Sequence, residues 1–464
     1  MRRRLARAAV ALAVLALLGA AAGTTLAYDP DRRPSIGPGR VTSPAGGPTV
    51  VSAQGFHLDG RGNHKKPPRL VSATPAANES WIESGVREDF WWFYDVDPLS
   101  NGNLLVTSTR PERTVVYEFD PETREQVWVE RLDIVDTHDV DMLPSGNLVV
   151  ANMRNYDATR GVSDDRVFVY DRANDTVVWE WVVRNHYPES TAGGFAEDWT
   201  HVNDVDPVEG GFLVSLRNFD QVVKVDRETK RIEWRLGRDG SHDTLYEQHN
   251  PDLLRGPNGT PTVLVADSEN DRVVEYARRD GEWVRTWTLR GALSWPRDAD
   301  RLPNGNTLVT DTLNHRVVEV TPEGRVVWEF YAPWAPYDSE RVDHGGGSSG
   351  PTVAELNASG TYRVHGGDRS GAVWRTTPAA WLRERAAGTP VAGPATAVAD
   401  RWAHVVPWLR PVWMAPWAVP ALALAALLLV GWAGAEAWLA RARLVAVVRR
   451  RRAPAGEEPP PGDD

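Results

Sequence analysis

Apolar and polar positions repeat in a regular order along the middle of the chain, from about residue 90 to residue 330. Five segments there open with the pattern x-Asp-apolar-Asp, and the fourth of them has Asn in place of the first Asp. A turn, an apolar strand, a strand of alternating apolar and polar residues and a Trp-containing strand follow each opening. The x position is occupied in turn by Tyr94, His138, Asn203, His249 and Arg297.

Four short strands in each unit of roughly 45 residues are typical of β-propeller blades. The sequence therefore predicts an all-β protein, a β-propeller of about six four-stranded blades in residues 45–376. Five blades are explicit, with loop insertions near 153–165 and 184–200. We expect both ends of the domain to form a sixth blade, with strands at 49–53, 69–73 and 80–83 and a closing strand within 353–364.

Two apolar segments bracket this domain. Residues 1–27 combine four early Arg with an apolar run and predict a signal peptide or signal anchor, and residues 417–439 are long enough for a transmembrane helix. Basic clusters flank both segments, so the positive-inside rule places the propeller outside the cytoplasm at the cell membrane. Residues 386–411 are interpreted as a linker or interfacial segment, and 440–464 as a basic, then acidic, disordered cytoplasmic tail. The alternative is a pair of buried core helices.

Charge and cysteine content narrow the range of functions. Residues 28–400 carry 40 basic and 58 acidic side chains, which argues against nucleic acid as a partner. The chain contains no Cys. Disulfides, thiolate metal sites and a cysteine nucleophile are therefore excluded.

Candidate chemistry follows from the x positions. The first strand of a propeller blade is the innermost, so Tyr94, His138, Asn203, His249 and Arg297 are expected to converge on the central channel. His201 lies two residues before Asn203 and therefore on the same face of its strand. Any one of these His alone would fit a structural role, but three His with an Asn and an Arg favour a functional site. The repeated Asp pairs are interpreted as structural acceptors of backbone hydrogen bonds at blade corners.

Three stretches resemble the arylsulfate sulfotransferases, propeller enzymes that do not use the nucleotide sulfate donor. They are residues 198–203 with 212–217 and 222–225, residues 137–147, and the Gln-His pair at 248–249. The resemblance covers roughly residues 90–335. The chain departs from the family in lacking an evident N-terminal β-sandwich domain and a cysteine pair, and in ending with an apolar helix, which bears on oligomeric state and substrate.

The resemblance implies ping-pong transfer of a sulfuryl group from an aryl sulfate to a phenol through a sulfohistidine. By motif position the nucleophile is His249, and His138 or His201 carries the proton of the phenol oxygen. Asn203 and Arg217 match the family's supporting residues, and Arg297 and Tyr94 join the substrate-binding candidates from their place in the channel. Arg110 and Arg154 occupy nearly the same place as Arg217 in their blades, which leaves a repeat-structural role for Arg217 open. The family needs no metal or other cofactor.

Two other function classes remain open. One is a zinc-dependent propeller lyase, in which His138, His201 and His249 bind one metal ion with an open fourth position. The other is a noncatalytic, membrane-anchored binding propeller whose polar channel holds water. Zinc dependence distinguishes the lyase from the sulfotransferase. Unchanged stability and function after His249→Ala would support the noncatalytic propeller.

Overall fold

The computed structural model of the protein describes most of the chain, in the ranges 2–28, 36–57, 64–84, 90–367, 378–411 and 413–451. Two compact units are formed. One contains residues 32–373 together with 382–409, and the other contains the two chain ends and residues 374–381.

Six sheets of four or five strands make up the first unit, and this confirms the predicted six-bladed β-propeller. The strands of blade 1, from the channel outward, are Trp92–Pro98, Leu104–Arg110, Arg113–Asp120 and Glu125–Leu132. Those of blade 2 are Val140–Met142, Leu148–Asn152, Arg166–Asp171 and Thr176–Val182. Those of blade 3 are Val202–Val208, Gly211–Leu216, Gln221–Asp226 and Ile232–Gly237.

The remaining blades include strands from the ends of the domain. Blade 4 contains His249–Arg255, Pro261–Asp267, Arg272–Arg279, Glu282–Arg290 and Gly360–Arg363. Blade 5 contains Pro296–Arg301, Thr307–Asp311, Arg316–Val320, Val326–Tyr331 and Gly37–Val41. Blade 6 contains Pro336–Arg341, Thr49–Ala53, Arg69–Ala73 and Glu79–Ser84.

Blade 6 closes the ring, and the predicted origin of its fourth strand is wrong. The strands predicted at 49–53, 69–73 and 80–83 are present, but the fourth strand is Pro336–Arg341 and does not come from 353–364. Within 353–364 only Gly360–Arg363 is a strand, and it pairs in parallel with the outer edge of blade 4. The reason lies in residues 337–340, whose sequence Tyr-Asp-Ser-Glu repeats the opening pattern with a polar third residue and Glu in fourth place.

The core lies between neighbouring blades. The apolar third residue of the opening pattern is fully buried in blades 1, 2, 3 and 5, at Val96, Val140, Val205 and Ala299. The Trp side chains of the outer strands also pack inward, and Trp181, Trp287 and Trp328 are among the largest buried side chains. Removal of this apolar surface from water is the main force that holds the blades together.

Smaller elements lie between the strands. Two short strand pairs are formed by Phe56–His57 with His64–Lys66 and by Tyr156–Asp157 with Val162–Ser163. Single 3-10 turns are found at Val183–Asn185, Thr191–Gly193, Arg217–Phe219, Pro257–Gly259, Ser268–Asn270, Thr312–Asn314 and Val342–His344. The predicted turn residues Gly102, Gly146 and Gly305 have φ values of 88°, 82° and 84°, which L-residues rarely adopt.

Carboxyl groups line the central channel. The second and fourth residues of the opening pattern border a cavity of about 300 Å³, and they are Asp95, Asp97, Asp139, Asp141, Asp204, Asp206, Asn250, Asp252, Asp298, Asp300, Asp338 and Glu340. The predicted backbone hydrogen bonds are present at Asp139, which accepts from Val205 N, and at Asp298, which accepts from Ser339 N. Their predicted position at blade corners is wrong. These carboxyls lie in the channel because alternation along the inner strand turns the second and fourth residues toward the axis.

Four helices complete the described chain: α1 (Arg2–Leu26), α2 (Pro378–Ala386), α3 (Ala392–Leu409) and α4 (Ala418–Arg451). Residues Arg4–Leu26 and Ala418–Arg441 are long and apolar enough to cross a membrane. Within their own unit α1 and α4 pack together, and Arg7 Nη2 lies 2.6 Å from Glu436 Oε2. The tail beyond residue 451 lies outside the described residues.

Helix α3 falls within the segment interpreted as a linker and packs against the propeller. His404 Nε2 lies 3.2 Å from Asp271 Oδ1, and its Nδ1 lies 3.3 Å from Glu269 Oε2. Although burial opposes protonation, hydrogen bonds to Asp271 and Glu269 raise the pKa of His404 to about 9. The helix is thus attached by an ion pair to the loop that follows the second strand of blade 4.

Candidate active site

The side chains at the x positions meet at the channel, as the sequence predicts. The rings of Tyr94 and His138 are 3.9 Å apart between centroids, and those of His138 and His201 are 5.0 Å apart. Asn203 Nδ2 donates to Gln248 O at 2.9 Å and so joins blade 3 to the opening of blade 4. One end of the channel therefore carries a cluster of imidazole, phenol, amide and guanidinium groups.

In blades 1 and 5, β-bulges explain why both the x residue and the Asp after it face the channel. The ladder between the first two strands shifts register between Phe93 and Asp95 in blade 1, and between Pro296 and Asp298 in blade 5. The extra residue is Tyr94 in one blade and Arg297 in the other. A bulge re-aims the side chain of the extra residue, which strict alternation would direct away from the axis.

Tyr337, the x residue of blade 6, lies among the predicted site residues but is not predicted by the sequence pattern. Its hydroxyl is 2.9 Å from His138 Nδ1, and its ring centroid is 5.0 Å from Tyr94 and 5.9 Å from His249. The guanidinium carbon of Arg297 lies 4.7 Å from the same ring. The available signal was the Tyr-Asp-Ser-Glu sequence at 337–340.

His249 is held in one orientation by contacts of its Nδ1 with a backbone carbonyl and a serine hydroxyl. Its Nδ1 lies 3.1 Å from Glu247 O and 2.8 Å from Ser268 Oγ, and Ser268 Oγ donates to Pro296 O at 2.7 Å. Because a carbonyl oxygen can only accept, these contacts assign the proton to Nδ1 and leave a lone pair on Nε2. Within the described residues Nε2 has no hydrogen-bond partner, although the side chain is only 1% exposed. Burial, followed by the charges of Arg297 and Arg217, lowers the pKa of His249 well below its usual range.

His201 is oriented by a carboxylate from the long insertion of blade 2. Its Nδ1 donates to Asp198, with distances of 2.8 and 2.9 Å to the two carboxylate oxygens. Burial is the main cause that lowers the pKa of His201 well below its usual range, and the charge of Arg217 adds to it. The imidazole is therefore neutral, with its proton on Nδ1.

His138 lies between a phenol and a carboxylate. Its Nδ1 faces Tyr337, and its Nε2 lies 3.7 Å from Asp136 Oδ1. Asp136 also accepts from the Tyr94 hydroxyl at 2.6 Å and pairs with Arg154 Nη1 at 3.1 Å. Burial opposes ionisation of Asp136, but these partners outweigh it and lower the pKa of that carboxyl. Burial also lowers the pKa of His138 against the opposing effect of Asp136.

Two of the site arginines are paired with carboxylates. Arg217 Nε donates to Glu247 Oε2 at 2.9 Å, and Arg154 contacts Asp136 and Asp198. Arg154 thus takes part in the site, whereas the guanidinium carbon of Arg110 lies 5.3 Å from the ring centroid of Phe90.

Arg297 differs from these arginines because no carboxylate of the described residues forms an ion pair with it. Its neighbours are Gln54 Oε1 at 3.3 Å, the Trp295 ring at 4.0 Å and the Tyr337 ring at 4.7 Å. The side chain is 6% exposed, and burial is the first cause that lowers its pKa. A buried guanidinium without a carboxylate is costly, and an anionic ligand would offset that cost.

The histidines show no arrangement suited to zinc. Among the residues that the structure describes, no group of three or more His, Cys, Asp or Glu side chains could hold a metal ion. The Nδ1 atoms of His138, His201 and His249 face Tyr337, Asp198 and Ser268, respectively.

Residues 85–254 match the family described as Arylsulfotransferase (ASST), and this confirms the resemblance seen in the sequence. The matched segment includes Tyr94, His138, His201, Arg217 and His249. It ends before blade 5, so Arg297 and Tyr337 lie outside it. A search of curated proteins gave no match.

Several solved structures are similar at low identity. A protein of unknown function from Bacteroides caccae is 13% identical with a TM-score of 0.43, over 71% of this chain and 100% of that one. A catalytically inactive variant of virginiamycin B lyase from Staphylococcus aureus, with quinupristin, is 8% identical with a TM-score of 0.37, over 61% of this chain and 84% of that one. Hydrazine synthase from Kuenenia stuttgartiensis is 12% identical with a TM-score of 0.34, over 55% of this chain and 70% of that one.

Proposed function

We propose, from the premise that residues 85–254 carry an arylsulfotransferase (ASST) family segment, that the protein transfers a sulfuryl group from an aryl sulfate to a phenol. The family match supports sulfotransferase activity in general. The histidine intermediate, the roles of single residues and the substrates are our own inference from the site.

One observation carries this proposal, namely a buried imidazole with a free lone pair in the same cluster as a guanidinium that has no carboxylate. His249 Nε2 has no hydrogen-bond partner in the described part of the chain, and Arg297 forms no ion pair there. An aryl sulfate is an anion with an electrophilic sulfur. The site offers such a substrate a cation for its oxygens and a nucleophile for its sulfur.

The reaction divides into two half-reactions. In the first, the Nε2 lone pair of His249 forms a bond to sulfur, and the sulfur–oxygen bond breaks with its electron pair left on the departing phenolate, which takes up a proton. In the second, an acceptor phenol loses its proton, its oxygen bonds to sulfur, and the nitrogen–sulfur bond breaks with its pair returned to Nε2. Covalent catalysis of this kind gives ping-pong kinetics.

The other site residues have supporting roles in this scheme. Arg297, Arg217 and Asn203 are assigned to the nonbridging sulfuryl oxygens, because charge that develops there is stabilised by fixed donors. His138 and His201 are the candidates for proton transfer at the phenol oxygen. Tyr94 fixes Asp136 through its 2.6 Å hydrogen bond and packs on His138.

The experiment that tests the proposal incubates the purified protein with 4-nitrophenyl sulfate and a phenol, with and without a chelator. We expect acceptor-dependent release of 4-nitrophenol that the chelator leaves unchanged. Activity that vanishes with the chelator and returns with zinc would favour the lyase. Absence of any turnover, with unchanged binding after His249→Ala, would favour the noncatalytic propeller.

Replacing Arg297 by Gln tests the anion site directly. A hydrogen bond to a charged group contributes about 1.5–3 kcal/mol, so kcat/KM for the aryl sulfate should fall by about 10- to 150-fold. The melting temperature should not fall, because the substitution removes a buried charge that lacks a carboxylate partner. Steady-state kinetics and thermal unfolding measure both effects, with the exposed Arg255→Gln as control. An unchanged kcat/KM would contradict the assignment.

We also infer that the propeller is anchored in the cell membrane and faces away from the cytoplasm. The basic residues at the start of α1 and the end of α4 support this orientation, and the Arg7–Glu436 pair suits two antiparallel spans. Protease added to right-side-out vesicles should digest the region between residues 28 and 410. Full protection of that region would contradict this topology.

A further inference from the structure

Tyr337 occupies the middle of the candidate site and has no role in the scheme above. It lies on Pro336–Arg341, the strand that closes the ring, and its side chain is 1% exposed. Its ring contacts His138, His249 and Arg297. No other x residue in the described chain makes ring contacts to all three groups, so a substrate held between His249 and Arg297 lies beside the Tyr337 phenol.

The hydrogen bond between Tyr337 and His138 defines the direction in which a proton can move. His138 Nε2 faces Asp136, and a carboxylate with a lowered pKa can only accept, so the proton of the neutral imidazole belongs on Nε2. His138 Nδ1 is then an acceptor, and the Tyr337 hydroxyl donates to it across 2.9 Å. Tyr337, His138 and Asp136 thus form a chain that ends on a carboxylate.

The sulfuryl transfer needs such a chain at the phenol oxygen. A phenol has a pKa of about 10, so its oxygen must gain a proton as a leaving group and lose one as a nucleophile near neutral pH. His201 is less suited to this task, because its Nδ1 is bound to Asp198 and no hydrogen bond connects its ring to Tyr337 in the described structure. His138 is connected to Tyr337, which itself lies next to His249.

We propose that Tyr337 is a catalytic proton relay between the phenol oxygen of the substrate and His138, an inference that rests on the sulfotransferase function proposed above. In the donor half-reaction, neutral His138 first takes up a proton at Nδ1 from solvent as the anionic donor binds, and it then gives that proton to the Tyr337 oxygen while the Tyr337 proton passes to the departing phenolate. The relay ends with neutral His138 and a neutral phenol. In the acceptor half-reaction the acceptor's proton passes to Tyr337, and the Tyr337 proton passes to His138, which restores the imidazolium beside Asp136.

The test compares two donors that differ in their need for a proton. The 4-nitrophenolate ion is a stabilised leaving group, whereas the phenolate released from phenyl sulfate depends on protonation. In Tyr337→Phe, phenol release from phenyl sulfate without acceptor should slow by about 10²- to 10⁴-fold, and release from 4-nitrophenyl sulfate should stay close to the wild-type rate. Rapid mixing measures both single turnovers. Tyr276→Phe is the matched control, since Tyr276 is a buried tyrosine in the third strand of blade 4 whose hydroxyl donates to Thr244 O at 2.9 Å.

A second variant covers the case in which Tyr337→Phe does not fold. His138→Gln retains an amide near Tyr337 but cannot carry the proton, and it should show the same selective loss with phenyl sulfate. Equal slowing with both donors in either variant, or no slowing with phenyl sulfate, would overturn the relay. If the wild type itself gives no stoichiometric release of phenol, the proposed sulfotransferase function fails and the relay fails with it.

Discussion

Replacing His249 by Ala is expected to abolish both half-reactions. No covalent carrier remains without the Nε2 lone pair, so neither release of phenol from the donor nor sulfation of the acceptor should be detectable. The fold should survive, because the contacts of the His249 ring are to the channel and the loop Ser268, whereas the blades are held by residues packed between the sheets. Single-turnover and steady-state assays measure the loss, and circular dichroism checks the fold.

Variants of His138 and His201 distinguish the nucleophile from the residues that assist proton transfer. His138→Ala and His201→Ala should leave residual turnover, because the loss of a general acid or base costs roughly 10²- to 10⁴-fold. His186→Ala, which removes a ring stacked on Trp181 outside the site, should stay near wild type. Full ping-pong turnover in His249→Ala would show that another residue carries the sulfuryl group.

The stability of the propeller is expected to fall as pH rises from about 5.5 to 8.5. Burial, with repulsion among neighbouring carboxyls, raises the pKa of Asp139 and Asp298 to about 8 and that of Asp141 and Asp300 well above the usual range. The native state therefore binds more protons than the unfolded chain. This contribution to stability is complete below about pH 4 and is lost as the pH passes through the folded-state pKa values.

Since one pKa unit corresponds to 1.36 kcal/mol, this loss should amount to about 3 kcal/mol or more over the range. Chemical unfolding in buffers with a chelator measures it without interference from bound cations. Asp141→Asn with Asp300→Asn should flatten the dependence, because two titrating groups are removed, whereas the exposed Asp133→Asn should not. Stability that is constant or rises between pH 5.5 and 8.5 would contradict the raised pKa values.

Most of the fold could be predicted because one short pattern recurs in it. The x-Asp-apolar-Asp opening fixes an inner strand whose third residue packs between blades, as at Val96 and Val205. The closing strand could not be placed in the same way. Its partner Thr49–Ala53 is nearly 300 residues away, and its polar Ser339 interrupts the apolar position that identifies the other blades.

The candidate site was predictable only in part, for a physical reason. The x residues share a place in a repeat, which identifies Tyr94, His138, Asn203, His249 and Arg297 together. The groups that orient them do not follow the repeat. Asp198, which orients His201, lies in the insertion at 184–200, and Ser268, which orients His249, stands where the equivalent turns of blades 3 and 5 have Arg217 and Thr312. Neither hydrophobic periodicity nor turn chemistry reports such contacts.

The most direct test of the central claim is the mass of the protein after reaction with an aryl sulfate and no acceptor. We predict the addition of one sulfuryl group on the peptide that contains His249, together with one equivalent of released phenol, and removal of the label when a phenol is added. A label on another residue, or stoichiometric release of phenol with no covalent label, would contradict the assignment of His249 as the nucleophile.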